Sequence, residues 1–393
     1  MQKNISVPMT LLLAAIFSIS PLAIDTYLPA ITEIASDLST QTENVSITVS
    51  LYVMGMAFGQ LIGGPLSDRF GRSSVMQIGI GVFILGSLLL AIASTVEQLW
   101  IFRMLQALGG GISAVCVPAL IRDHVTGAAA AKLLSLITLV MMLAPAVAPS
   151  IGSLMLAFFN WHAIFIFLAL VASSIFICIR RLLPASAQTE HGTKKTHSIS
   201  YLIILKNVAA SRFLFTQAMG FSVLMIFLSS SAMIYMEYFE LEATEFSSLF
   251  LLNVASIAII NRVNARLLNR YRPEQLLKCF VGLQIFGGLL LLTVSYFFST
   301  NLILAVLGFA ITVSAISAIG PNATACYLAY YEHNAGKASA LLGFAKYALG
   351  ASISAVTAYA YNDSIQPVAV SVLLCASLSF IALICYREKK QRT

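Results

Sequence analysis

Apolar runs of about 20 residues, long enough to cross a hydrocarbon core, recur from one end of the chain to the other. Polar residues collect in the short gaps between them. The pattern predicts membrane helices near 9–31, 45–66, 75–95, 98–120, 131–157 and 161–182, then 211–236, 246–265, 275–297, 301–325, 337–360 and 365–386. Short segments of alternating polarity, which would mark a transmembrane barrel, do not occur. One long polar stretch divides the series into an amino-terminal bundle (1–182), a cytoplasmic linker (183–208) and a carboxy-terminal bundle (209–393). A weak repeat supports the division: Ser67-Asp68-Arg69-Phe70-Gly71-Arg72 after the second span is matched by Leu268-Asn269-Arg270-Tyr271-Arg272-Pro273 after the eighth. The expected fold is an all-α membrane protein of twelve transmembrane helices in two pseudo-symmetric six-helix bundles. Duplicated halves favour a rocking transporter with its site at the seam.

Composition agrees with this class. The chain is 59% hydrophobic and 10% charged, with a mean hydropathy of +0.89, far from a soluble globular composition. The first run is too long for a signal-peptide core and carries Asp25 where a cleavage site would need small residues, so it is read as a true span. All six cysteines lie in or at the ends of spans, which predicts packing roles and no disulfides.

Charge then sets the expected topology. Of the 23 lysines and arginines, all but Arg103 and Lys346 fall where one side of a twelve-span protein would hold them. The opposite side has only acids, such as Glu33, Asp37, Glu97, Glu237, Glu240 and Asp363. The positive-inside bias places both termini in the cytoplasm. The net charge of +7 reflects this asymmetry; a stripe for nucleic acid would not be split among short loops.

Asp25, Arg103 and Lys346 lie inside spans, where ionisable groups are costly and usually line a polar pathway. Counted from the outer ends of their spans at 1.5 Å per residue, Asp25 and Arg103 both lie about 8–9 Å deep. Opposite charges about 4 Å apart attract by about 4 kcal/mol at an effective dielectric near 20, enough to decide whether Asp25 holds a proton. Asp25 is therefore expected to exchange protons as Arg103 or outside water approaches, with a static ion pair as the alternative. Lys346 lies about nine residues into its span, too deep to snorkel easily. With Asp25 ionised the three groups sum to +1, which predicts a preference for anionic or neutral solutes over lipophilic cations. The alternative is that Lys346 only pairs internally. Tyr27, Tyr52, Gln106, Asn253, Asn322 and Tyr347 are further candidates for orienting a ligand, each against a packing role.

Several motifs add a resemblance. Gly64-Pro65-Leu66-Ser67-Asp68-Arg69-Phe70-Gly71-Arg72 resembles the loop signature of the major facilitator superfamily. Arg103, Gln106, Gly109 and Gly111 are similar to the RxxQGxG pattern of its drug:proton antiporters. Pro145, Pro149 and Gly152 fit the antiporter signature in the APxxAPxxG form of the bicyclomycin/chloramphenicol-resistance (Bcr/CflA) branch. Asp25-Thr26-Tyr27-Leu28-Pro29-Ala30, Arg122-Asp123, Trp161 with Ile164-Phe165, and Pro321-Asn322 also resemble that branch. The resemblance implies the major facilitator fold and proton-coupled export of small organic molecules from a bacterial cytoplasm by alternating access. It also implies coupling or substrate roles for Asp25 and Arg103. It places a glutamine more usually where this chain has Lys346. Physically, Gly64 and Gly71 are expected to permit close approach or positive φ. Asp68, Arg69 and Arg72 are expected to act as a cytoplasmic latch, and Pro145 and Pro149 to kink the fifth span.

The expected partners are a small-molecule substrate, protons and the bilayer, with no nucleic acid, no cofactor, no metal and a monomeric state. One proton moving down 100 mV supplies about 2.3 kcal/mol, close to a fifty-fold gradient of neutral solute. No GxxxxGK[ST] phosphate loop is present. A dedicated exporter of an endogenous anionic metabolite, such as a siderophore or sugar, would use the same machinery. A channel or membrane enzyme is disfavoured, because the outer loops are short and the histidines are scattered.

Overall fold

The computed structural model describes residues 6–124, 137, 144, 146–183, 201–331 and 335–385; the side chains of Asp68, 122–124, 201–203 and 335–337 are excepted. The chain divides into two compact units, Met1–Lys194 with Glu242–Ser248, and Lys195–Leu241 with Leu249–Thr393. Among the described residues, eleven helices are long and apolar enough to cross a membrane, and a shorter apolar helix covers Ala146–Phe158.

Unit 1 holds α1 (Val7–Asp25), a 3-10 turn (Leu28–Ala30), α2 (Ile31–Asp37), α3 (Thr42–Phe70) and α4 (Arg72–Leu90). It continues with α5 (Val96–His124), α6 (Ala146–Phe158) and α7 (His162–Leu182). The first span is thus not one rod. Pro29 has no backbone N–H to offer the carbonyl four residues back, that of Asp25, so the α-helix ends there and resumes after a tighter turn. Asp25 is the last residue of α1, beside a helix break.

Glycine sets the packing of unit 1. On α3, Gly55, Gly59 and Gly63 recur at every fourth residue, and a Cβ on any of them would collide with the α5 backbone. On α5, Gly109, Gly110 and Gly111 point about 100° apart in succession. They meet α4 at Gly79 and Phe83, α1 at Ser20, and α3 at Met56 and Gly59. The close crossing expected of this triplet is present. Gly71 joins α3 directly to α4 with φ 88° and ψ 145°, a conformation L side chains rarely adopt. Gly64 differs from expectation: it is helical, and a Cβ there would meet open space. Its neighbourhood needs no glycine.

Unit 2 holds α8 (Tyr201–Lys206), α9 (Val208–Ala232) continued by a π-turn (Met233–Tyr238), and α10 (Ala243–Leu267), whose first turn belongs to unit 1. It ends with α11 (Pro273–Phe297), α12 (Leu302–Leu328), α13 (Ala335–Tyr359) and α14 (Gln366–Cys385). The stretch read as a linker, 183–208, ends in the helix α8. Ile204 of α8 is buried among Phe213, Leu277, Phe280 and Tyr327, and its carbonyl accepts from the Tyr331 hydroxyl at 2.9 Å. Helix pairings recur between the units: α4–α5 and α11–α12, α4–α7 and α11–α14, α1–α5 and α9–α12, α1–α7 and α9–α14. This is the internal repeat in three dimensions.

Candidate functional site

Arg103 is fully buried on α5, with its guanidinium carbon 4.1 Å from the Tyr27 ring centroid, 4.8 Å from that of Tyr52 and 5.6 Å from that of Phe165. Each desolvated cation–π contact of this kind contributes about 2 kcal/mol. One nitrogen, Nη1, donates to Gln106 Oε1 at 2.9 Å and to the Ala23 carbonyl at 3.3 Å. That carbonyl is free because the helix break sends the Tyr27 N–H to Ile24 instead. The break therefore builds the arginine site: it ends α1 at Asp25, releases an acceptor at Ala23 and turns Tyr27 inward.

A second layer holds the first. Gln106 Nε2 donates to Ser87 Oγ at 2.8 Å, across a crossing where a Cβ on Gly86 would strike the backbone of Gln106. Thr48 Oγ1 donates to the Tyr27 hydroxyl at 2.9 Å, and the Tyr27 ring lies 5.9 Å from that of Phe165. Trp161 packs edge-on against Phe165 and donates its indole N–H to Asp37 and its backbone N–H to Glu33. Glu33 and Asp37 thus hold the wall that closes over Arg103. Its Nε and Nη2 have no hydrogen-bond partner among the described residues.

Asp25 is buried, with 4% of its surface exposed. Arg103 grips the chain on both sides of it, at Ala23 and Tyr27, but no ion pair within 4.0 Å joins the two side chains among the described residues. The expected common depth is present, while in this conformation the guanidinium faces aromatic rings and amide oxygen. Tyr27, Tyr52 and Gln106 all belong to this cage. Phe165, Thr48 and Ser87 belong to it as well. Phe165 entered the sequence reading only as part of the Trp161 motif, and Thr48 and Ser87 were not singled out, because nothing in their local spacing sets them apart from ordinary helix residues.

Unit 2 presents a different cation. Lys346 is half-buried on α13, with Nζ 4.9 Å from the Phe221 centroid and 4.3 Å from that of Tyr347. The two rings stand at 88° with centroids 5.2 Å apart. Asn253 lies elsewhere, bonded to the Leu249 carbonyl at 3.1 Å and near Tyr235, whose ring packs on Phe227 and Phe309. Asn322 donates to Asn264 at 2.8 Å and joins α12 to α10. These two amides are not brought to Lys346 by any recorded contact.

Of the motif residues, Arg72 Nη1 donates to Ser67 Oγ at 2.5 Å, which in turn donates to the Gly64 carbonyl at 2.8 Å. Arg69 is exposed over Phe70. Gly152 abuts the span-one break, since a Cβ there would fall on the Thr26 carbonyl oxygen and 2.8 Å from Pro29 Cγ. Pro149 is buried on α6; Pro145 and the Asp68 side chain lie outside the described residues.

The family model for the Major Facilitator Superfamily matches residues 13–355. The chain belongs to that superfamily. Its similarity to the Bicyclomycin resistance protein homolog of Haemophilus influenzae is 29% identity over 375 residues, 95% of this chain and 94% of that protein. To the Multidrug resistance protein MdtL of Escherichia coli O157:H7 it is 27% identical over 382 residues, covering 95% and 93%. A crystal structure of a D-xylose-proton symporter superposes with a TM-score of 0.74 at 14% identity, covering 95% of this chain and 97% of that one, which shows the fold alone. This facilitator is a multi-pass membrane transporter rather than an enzyme, and its resemblance to the bicyclomycin-resistance branch agrees with the first of these relatives.

Proposed function

We propose that this facilitator is a proton-coupled efflux antiporter of the bacterial inner membrane, with both termini cytoplasmic. It exports small organic molecules by alternating access, with a lean to neutral or anionic compounds. Relatives named for bicyclomycin and multidrug resistance support drugs of that kind, including phenicols, as cargo. The observation that carries the reading is Asp25: a carboxyl at a helix break inside the membrane, next to a caged arginine, with no ion pair to hold it in one protonation state. Broken membrane helices are tolerated where the backbone lines a polar cavity or is enclosed by protein. Asp25 takes a proton and releases it, while Arg103 holds the broken span in register from Ala23 to Tyr27. The driving force needs no resident cofactor, and a monomer suffices.

Asp25→Asn tests this. Reconstituted in vesicles with an imposed pH gradient, the wild type accumulates substrate against its gradient and moves protons when substrate is added, whereas the variant does neither. Uphill pumping that survives the substitution sinks the reading. The lean to anions rests on Lys346. It also favours, as a second reading, a dedicated exporter of an endogenous anionic metabolite, which a panel of anionic and neutral compounds separates from broad drug export.

A further inference from the structure

The membrane segments of unit 2 contain no acid away from their ends. Glu237 and Glu274 lie in terminal turns and Glu240 and Asp363 in connections, and Glu274 already faces Arg212 at 3.6 Å and Lys278 at 3.4 Å. Glu332 and Glu388 lie outside the described residues, and among the described residues of its own unit Lys346 has no carboxylate partner. It lies over two ring faces, and cation–π attraction is too weak to replace an ionic partner within a membrane. The nearby polar pair on α9 and α12, Gln217 with Thr324 at 2.8 Å, is neutral and satisfied by itself. The corner is also built: a Cβ on Gly350 would come within 3.0 Å of Phe221 Cδ1, so glycine there lets the ring lie against α13 beside the lysine.

We infer that Lys346, Phe221 and Tyr347 form a recognition corner for aromatic acids, a planar ring bearing a carboxylate or similar anionic group. The anion supplies the charge that the ammonium lacks. Two rings at right angles offer a face and an edge together, the arrangement in which a third ring packs well by edge-to-face or offset contact. A neutral amide of the same shape leaves the ammonium uncompensated, and an alicyclic acid leaves the aromatic walls without a partner. This deepens the anionic lean proposed above and rests on that reading for the direction of transport only.

The test is calorimetric titration of the full-length protein in lipid nanodiscs at neutral pH, without any gradient. The probes are 4-hydroxybenzoate, 4-hydroxybenzamide and cyclohexanecarboxylate. The acid is expected to bind at least about tenfold tighter than its amide, or about 1.4 kcal/mol, and about threefold tighter than the alicyclic acid. Lys346→Gln brings the acid-to-amide ratio below about two, Lys346→Arg keeps it, and Phe221→Leu lowers the aromatic-to-alicyclic ratio alone. Equal affinity of the wild type for acid and amide, no binding of any probe, or a ratio unchanged in Lys346→Gln overturns the inference. Retained preference in the arginine variant shows that the corner still folds when altered. Because no gradient is used, these results stand or fall apart from the Asp25 experiment.

Discussion

Each unit of the transporter carries one basic residue deep within a membrane span, and the two are treated in opposite ways. Arg103 is sealed: three rings, a side-chain amide and a freed carbonyl surround it, and glycine-packed helices hold those groups at fixed distances. Lys346 is half-buried in a two-ring corner. The scaffolds differ in the same sense. The α3–α5 seam closes through Gly55, Gly59 and Gly63, whereas α10, its counterpart in the repeat, has no glycine and reaches α12 through Asn264 and Asn322. A fixed cation suits a task that repeats identically in every cycle, such as holding the broken segment of the first span. A half-exposed cation suits cargo that varies.

The contrast can be broken in four ways. Arg103→Ala is expected to have the largest effect. Two hydrogen bonds from a charged donor, at about 1.5–3 kcal/mol each, predict a loss of about 100-fold or more in substrate-driven proton flux in vesicles. A fall in unfolding temperature should accompany it, since Gln106 and the Ala23 carbonyl lose their partner. An intact flux would show that the cage is scaffolding without a role in coupling. Next, Gly109→Ala places a methyl against the Phe83 backbone, which cannot rotate away, at a cost of about 1–3 kcal/mol in thermal stability in detergent.

The remaining two effects are smaller and belong to unit 2. Gly350→Ala meets only the side chains of Phe221 and Met225, at 3.0 and 3.1 Å, so its cost should stay below about 1 kcal/mol in the same melting assay. A loss equal to that of Gly109→Ala would mean that both units are equally rigid. Lys346→Met removes a charge that has no ionic partner among the described residues and keeps the chain length, so its unfolding temperature should hold steady or rise by a few degrees, within about 1 kcal/mol. A marked fall would show that Lys346 is structural, and the comparison between the two cations would fail.

Asp25, Arg103 and Lys346 were visible in the sequence because charge inside an apolar run is rare. Tyr27 and Gln106 were visible because they share spans with those charges, and Tyr52 because it is amphipathic within an apolar span. Gly71 was legible too, since a glycine between two long apolar runs has few reasons to be there other than a tight joint. Phe165 stood out only as a neighbour of Trp161 in a family motif, and Phe221 not at all: a phenylalanine in a membrane helix looks the same whether it faces lipid or a cation. Gly64 misled, because the same residue type in the same motif can be tight at one position and open at another. The break after Asp25 was signalled by Pro29, yet the apolar run continued through it and masked the interruption.

Hydropathy, charge placement and motif order determined by themselves the all-helical membrane class, predicted twelve spans in two halves, and picked out three charged positions inside those spans. These are one-dimensional properties: burying backbone in lipid demands long apolar helices whatever their neighbours. The tertiary structure alone decided which ring stacks on which cation, that the guanidinium faces Tyr27 and Gln106 rather than Asp25, and that α3 closes on α5 more tightly than α10 on α12. Such choices depend on the rotation of each helix about its axis and the distance between axes. Those are set by contacts among residues far apart in the chain.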